Sequence, residues 1–146
     1  MNTNEIKSPF ELLQHNVLKF EFTNNAVAQK NNDEAERIFD VDYEIVHKHD
    51  EEDFQYGVVE LIVKAKRISD GEEHFDMQIK INGFFKSPAN MPPDMFDKML
   101  EHNGVTALYG ICRGIISSLS TLCYPKEPIV LPMVNINLLV EHHKNK

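Results

Sequence analysis

The chain has 146 residues, a formal net charge of −8, and 42% hydrophobic against 26% charged residues. That apolar share excludes a disordered chain, which buries too little to offset its ordering entropy, and the acidic balance excludes nucleic acid, whose phosphates need clustered Lys and Arg. Residues 1–146 read as one domain, long enough for one core and too short for two, with the order of residues 1–16 left open.

The N-terminal "MNTNEIKSPFELLQHN" lacks the basic start and apolar run of a signal peptide. No window of about 18 apolar residues runs uninterrupted. The expectation is a cytoplasmic protein without membrane insertion. The first strand signal is "VLKFEF", with Leu18, Phe20 and Phe22 on one face and Lys19 and Glu21 on the other. In "RIFDVDYEIV", Phe39, Val41, Tyr43 and Ile45 alternate with Asp40, Asp42 and Glu44. The acidic "HKHDEED" reads as a loop, and its His and carboxylate spacing fits no calcium loop and no zinc site.

Two further strands follow. In "FQYGVVELIVKAKRI", Val59, Leu61, Val63 and Ala65 face one way; in "HFDMQIKINGFF", Phe75, Met77, Ile79 and Ile81 keep register. Asp70-Gly71 between them predicts a tight hairpin, because that pair tolerates positive φ. The period then lengthens. "SPANMPPDMFDKMLEHN" reads as a Pro-rich connection with a short helix from Asp94, whose carboxylate would cap it.

The segment from Gly104 predicts a long helix with Val105, Leu108, Cys112, Ile115, Leu119 and Leu122 as its apolar seam. Apolar residues extend well beyond that seam, leaving a narrow stripe of Thr106, Gly110, Arg113, Ser117 and Ser120. Such a helix buries two sides, one on its own sheet and the other against a second subunit. Gly110 and Gly114 would let another helix approach, or would merely tolerate bulky Tyr109. Pro125, Pro128 and Pro132 stop the helix. "MVNINLLVEHHK" predicts a terminal helix with Asn135 at its cap and Val134, Leu138 and Leu139 inward, and His142 and His143 at a frayed end. The fold class is therefore α+β: a four-stranded antiparallel sheet, meander or Greek-key-like, packed by one long helix from the C-terminal half and a shorter terminal one.

Chemistry is sparse. Cys112 and Cys123 lie about three helical turns or roughly 16 Å apart, too far for a disulfide. Both sit in an apolar helix that should raise their pKa, and no Gly-x-Ser-x-Gly elbow or Gly-rich phosphate loop occurs. A lone Arg in an apolar helix, Arg113, is expected to pair with a carboxylate or carbonyls at an interface. The residues suggest no enzyme and call for no metal or cofactor.

Four stretches together resemble the SecB export chaperones: "GVTALYGICRGI" with its aromatic Tyr109 and Arg113, "LPMVNINLL", "NGFF" from Asn82 to Phe85, and "KFEFTNN" with Phe20 and Glu21. The resemblance covers residues 17–140. It implies a homotetramer, a dimer of dimers with the long helices sandwiched between sheets, and assigns Phe75, Met77, Ile79, Leu108, Arg113 and Ile115 to the oligomer interface. It also implies an ATP-independent holdase that keeps unfolded secretory precursors competent for the Sec pathway. The groove positions it implies for client binding are Phe39, Val41 and Tyr43 with Val134, Ile136, Leu138 and Leu139.

The resemblance departs from the family at the expected contact with the motor SecA. Glu21 matches an acidic position there, but Gln78 stands where Glu is usual and Val17 where Asp is usual; elsewhere, in the loop into the last helix, Met133 stands where the family has Pro in a Pro-Val-Asn motif. Two other readings compete: a SecB-like chaperone dedicated to one antitoxin of a toxin–antitoxin pair, and a hot-dog-like enzyme or small-ligand binder whose base would be His102.

Overall fold

The computed structural model of the protein describes residues 7–25, 35–124 and 128–146. Among them four antiparallel strands form one sheet: β1 Glu11–Asn24, β2 Glu36–Asp50, β3 Phe54–Ser69 and β4 Glu72–Pro88, in the order β1-β4-β3-β2. β2, β3 and β4 follow one another as hairpins, and β1 closes on the far side of β4, so the order is that of a Greek key rather than a plain meander. Asp70 and Gly71 both have positive φ, 53° and 78°, as the two-residue hairpin requires.

The alternation read in β3 and β4 is the core. Leu61 lies opposite Ile81, Val63 opposite Ile79 and Ala65 opposite Met77, on the face that carries the helices. Apart from Ala65, each of these side chains contributes about 1.5–3 kcal/mol by leaving water. The edge strands are half-buried at Phe20, Phe22, Phe39, Val41 and Ile45. β1 begins well before the expected stretch, because Phe10 stacks on Phe85 with ring centroids 5.1 Å apart and anchors the segment before Glu11. Leu18 is a correction: the register shifts between Val17 and Lys19, and Leu18 is exposed instead of sharing the face of Phe20. β2 also runs to Asp50, through most of the expected "HKHDEED" loop.

The helix layer differs from expectation in an instructive way. The short and long helices are not separate: α1 Pro93–Met99, a π-helical turn Leu100–Gly104 and α2 Val105–Cys123 form one continuous helix of 31 residues. The five-residue step from Leu100 to Val105 would rotate an ordinary helix off its seam. One π turn absorbs the extra residue and keeps Phe96, Leu100, Val105 and Leu108 on the buried side. Pro92, not Asp94, occupies the cap position; Asp94 sits in the first turn, where its charge suits the helix dipole.

By length and composition Pro93–Cys123 is apolar enough to cross a membrane, although Arg113 and several Ser and Thr residues interrupt its apolar run. Here its apolar face lies on the sheet, and two glycines set the spacing. A Cβ on Gly57 would come 2.6 Å from Leu100 Cδ1, and one on Gly83 2.8 Å from Leu108 Cδ2. Only a missing side chain permits that approach.

The seam of α2 is rotated from the expected one. Val105, Leu108, Tyr109, Cys112, Ile116 and Ser120 are buried, Ile115 and Leu119 are half-buried, and Leu122 is 81% exposed. Of the proline stops, Pro125 lies outside the described residues. α3 spans Ile136–Lys144, and Asn135 caps it as expected, its Oδ1 accepting from the Leu138 N–H at 3.2 Å. Leu139 and Val140 are its inward residues, whereas Leu138 is exposed.

Candidate functional site

Residues 128–135 carry two prolines and join neither helix nor sheet. They form an extended strap between α2 and β2, held by side chains from the buried flank of α2. Ser120 Oγ accepts the Ile129 N–H at 2.9 Å, Arg113 Nε donates to the Leu131 carbonyl at 3.2 Å, and the Tyr109 hydroxyl donates to the Pro132 carbonyl. Arg113 Nη1 also meets Met133 Sδ at 3.2 Å. The spacing 109, 113, 120 places the three side chains on one flank, so the "small polar stripe" of the sequence is partly a set of pins. Arg113 does bond a carbonyl, as expected, but one of its own chain.

Between the strap and β2 lies a small groove of about 70 Å³, walled by Ile38 and Phe39, floored by Ala65 and Phe75, and closed by Ile129 and Leu131. Phe39 meets the Tyr109 ring edge-on at 6.3 Å. Arg37 and Lys66 also line the groove, Val130 in its lining is 67% exposed, and Met133 and Leu138, which follow in the chain, are 82% and 60% exposed. Exposed apolar side chains on a strap that lines a groove mark a surface for another apolar chain.

Of the expected groove residues, Phe39 lines this cleft, Val41 is half-buried further along β2, and Val134 in the strap and Ile136 just beyond it are half-buried. Tyr43 and Leu139 are buried in the chain. Sequence reasoning missed Ile38, Val130 and Met133; the signal was available in the prolines of 128–132, which leave neighbouring side chains unpaired in an extended run.

Tyr43 belongs to a polar junction at the end of α3, so His143 is not frayed. Its ring stacks on Tyr43 at 4.3 Å and its Nδ1 lies 3.0 Å from Asp42 Oδ1, while Lys146 Nζ reaches Asp42 Oδ2 at 2.5 Å. Partial burial pushes the Asp42 pKa up, but hydrogen bonds from Lys146, His143 and the Tyr43 N–H outweigh it and hold the carboxyl below its usual range. Burial, then the charges of Glu101 and Asp42, pushes the Tyr43 hydroxyl to about 12.

The residues expected at an oligomer interface sit inside one chain. Phe75, Met77, Ile79 and Leu108 are at most 6% exposed without a second copy, and Ile115 is half-buried. The open side of α2 instead presents Gly110, Gly114, Ser117, Ser118 and Thr121, and a Cβ on either glycine would meet nothing within 4 Å beyond its chain neighbours. Glu21 and Gln78 lie opposite each other across β1 and β4, Glu21 exposed and 3.3 Å from Lys19.

Burial pushes the Cys112 thiol to about 12, which keeps it protonated and a poor nucleophile at neutral pH. Both cysteines are free. Among the described residues no cluster of His, Cys, Asp or Glu has the makings of a metal site. His102 lies half-buried in the π turn, where its carbonyl accepts from Thr106 Oγ1 at 2.6 Å.

No protein-family model matches the sequence, and no curated protein matches it. Among solved structures, the chain is similar to the Mycobacterium tuberculosis SecB-like chaperone Rv1957, solved in complex with a ChAD peptide from the HigA1 antitoxin Rv1956: TM-score 0.56 at 11% identity, covering 86% of this chain and 91% of that one. A protein of unknown function from Streptococcus agalactiae matches with TM-score 0.46 and 11% identity over 85% of this chain and 97% of that one. At 11% identity the first of these likenesses is one of fold: an open four-stranded antiparallel sheet under a long helix and a short C-terminal one.

Proposed function

We propose that this chain, with its SecB-like fold, is a chaperone that holds extended apolar segments of other polypeptides in the groove between β2 and the strap. The observation that carries the reading is the strap that lines this groove, with the apolar side chains of Val130 and Met133 exposed on it. Unfolded chains share apolarity and little else, so a holdase needs an apolar surface that accepts many sequences. Binding only the unfolded state shifts a client's folding equilibrium by mass action and needs no ATP. The net charge of −8 keeps such a surface soluble and draws in segments with basic residues.

A dedicated chaperone for one partner peptide fits at least as well as a general export role. The solved SecB-like chaperone of similar fold holds an antitoxin peptide. Gln78 and Val17, where carboxylates would be expected for SecA, also lean that way. Assembly into a dimer or tetramer would use the open glycine-containing side of α2, where a second helix can approach closely. A cytoplasmic location belongs to the same reading.

The test is isothermal titration with one secretory precursor, presented unfolded and folded, together with the native mass by light scattering. The reading expects submicromolar binding of the unfolded form only, with a negative heat-capacity change from apolar burial. No binding to any of several unfolded chains, with tight binding to a peptide from a neighbouring antitoxin gene, would replace the general role by the dedicated one. No binding in either arm would remove the chaperone reading.

A further inference from the structure

The strap contains a sulfur whose position no requirement of the fold explains. Among the described methionines Met133 is the most exposed, at 82%, followed by Met95 at 53%, while Met77 is 1% exposed. Its Sδ nevertheless lies 3.2 Å from Arg113 Nη1. The same guanidinium holds the Leu131 carbonyl through Nε, so its position is fixed independently of the sulfur. A thioether is a weak acceptor and gives such a donor little.

We propose that Met133 is an oxidation site whose sulfoxide is gripped by Arg113, locking the strap and making its exposed side polar. A two-electron oxidant of the peroxide class supplies the oxygen. The sulfur lone pair attacks one oxygen of hydrogen peroxide, the O–O bond breaks, an S–O bond forms, sulfur loses two electrons, and the second oxygen leaves as hydroxide, which takes the proton from the transferred oxygen and becomes water. The sulfoxide oxygen carries partial negative charge and faces a guanidinium already in place, which replaces a weak N–H···S contact by a charge-assisted N–H···O bond. The strap is then tied at 131 and 133 by one side chain, and an exposed apolar residue of the strap has become polar and chiral. The consequence for client binding rests on the proposed chaperone function; the site and the lock do not.

The experiment treats the full chain with graded hydrogen peroxide and follows three readouts: peptide mapping by mass spectrometry, amide hydrogen exchange, and titration with an unfolded polypeptide. Met133 sulfoxide should accumulate before that of Met95, with Met77 last. Exchange across 129–135 should slow by about threefold or more, and affinity for the unfolded chain should fall about three- to tenfold. Methionine sulfoxide reductase should reverse both changes. Peroxide should alter neither readout in Met133→Leu, and Arg113→Lys, which lacks the planar fork, should oxidise at Met133 without slowed exchange. Earlier oxidation of Met95, unchanged strap exchange, or an equal response in Met133→Leu would overturn the proposal. If the unoxidised protein binds no unfolded chain, the functional reading fails by itself, and mapping and exchange still decide the site.

Discussion

The floor and the strap of the groove are built on opposite principles. The floor, β3 and β4 under α2, is sealed: Val59, Leu61, Val63, Ile79, Ile81 and Leu108 are fully buried, and glycines at 57 and 83 let helix and sheet close on one another. The strap makes no ladder, carries Pro128 and Pro132, and hangs from α2 by three polar side chains while turning Val130 and Met133 to solvent. Apolar area holds the first in place; a few hydrogen bonds hold the second. A binding surface for extended apolar chains can only be of the second kind, because a sealed core has no apolar area left to offer.

Substitutions can break that contrast from either side. The largest effect is expected in the floor: Leu108→Ala should lower unfolding stability by about 2–5 kcal/mol in a denaturant titration, through lost transfer energy and a residual cavity. Gly57→Ala forces a methyl against the fully buried Leu100 and should cost about 1–3 kcal/mol in the same measurement; a neutral result would show that the helix rides higher on the sheet than described. Arg113→Ala should cost about 1–2 kcal/mol and, more tellingly, speed amide exchange at 129–135 while leaving β3 and β4 protected.

At the junction of α3 with β2 the expected effect is on acid sensitivity. The Asp42 pKa is lowered on folding, so its contribution is complete above the ordinary carboxylate value of 3.8 and is lost as pH falls through the lower folded value. Asp42→Asn should flatten the stability profile in that acidic window and leave it unchanged near neutrality in shape. The smallest stability effect belongs to the rim: Val130→Ser should change stability by less than about 0.5 kcal/mol, yet weaken binding of unfolded polypeptide severalfold. Equal losses of stability and binding would mean that the strap is core after all.

Part of this was legible in the residues. Alternation in β2, β3 and β4 named the inward side chains Phe39, Val63 and Ile79 correctly, and Asp70-Gly71 and Asn135 marked their turn and cap. Other features were not, for physical reasons. Leu18 lies at a register shift, which period-2 reading cannot see. Leu122 is apolar at seam spacing, yet it projects away from the core, while Ser120 turns inward because the Ile129 N–H needs an acceptor. Of the residues expected in the groove, Phe39 lines the cleft beside the strap while Tyr43 and Leu139 are buried, and Val130 and Met133, which were not expected there, are surface.

The sequence by itself determined the elements, because alternation and helical spacing are local properties that each strand and helix satisfies within its own few residues. It also determined that the long helix does not run on through Pro128 and Pro132, through proline's missing N–H. Only the tertiary structure decided that β1 closes beside β4, that one π turn welds α1 to α2, and that Tyr109, Arg113 and Ser120 reach across to the strap. Those outcomes depend on contacts between residues far apart in the chain, whose partners no local pattern specifies.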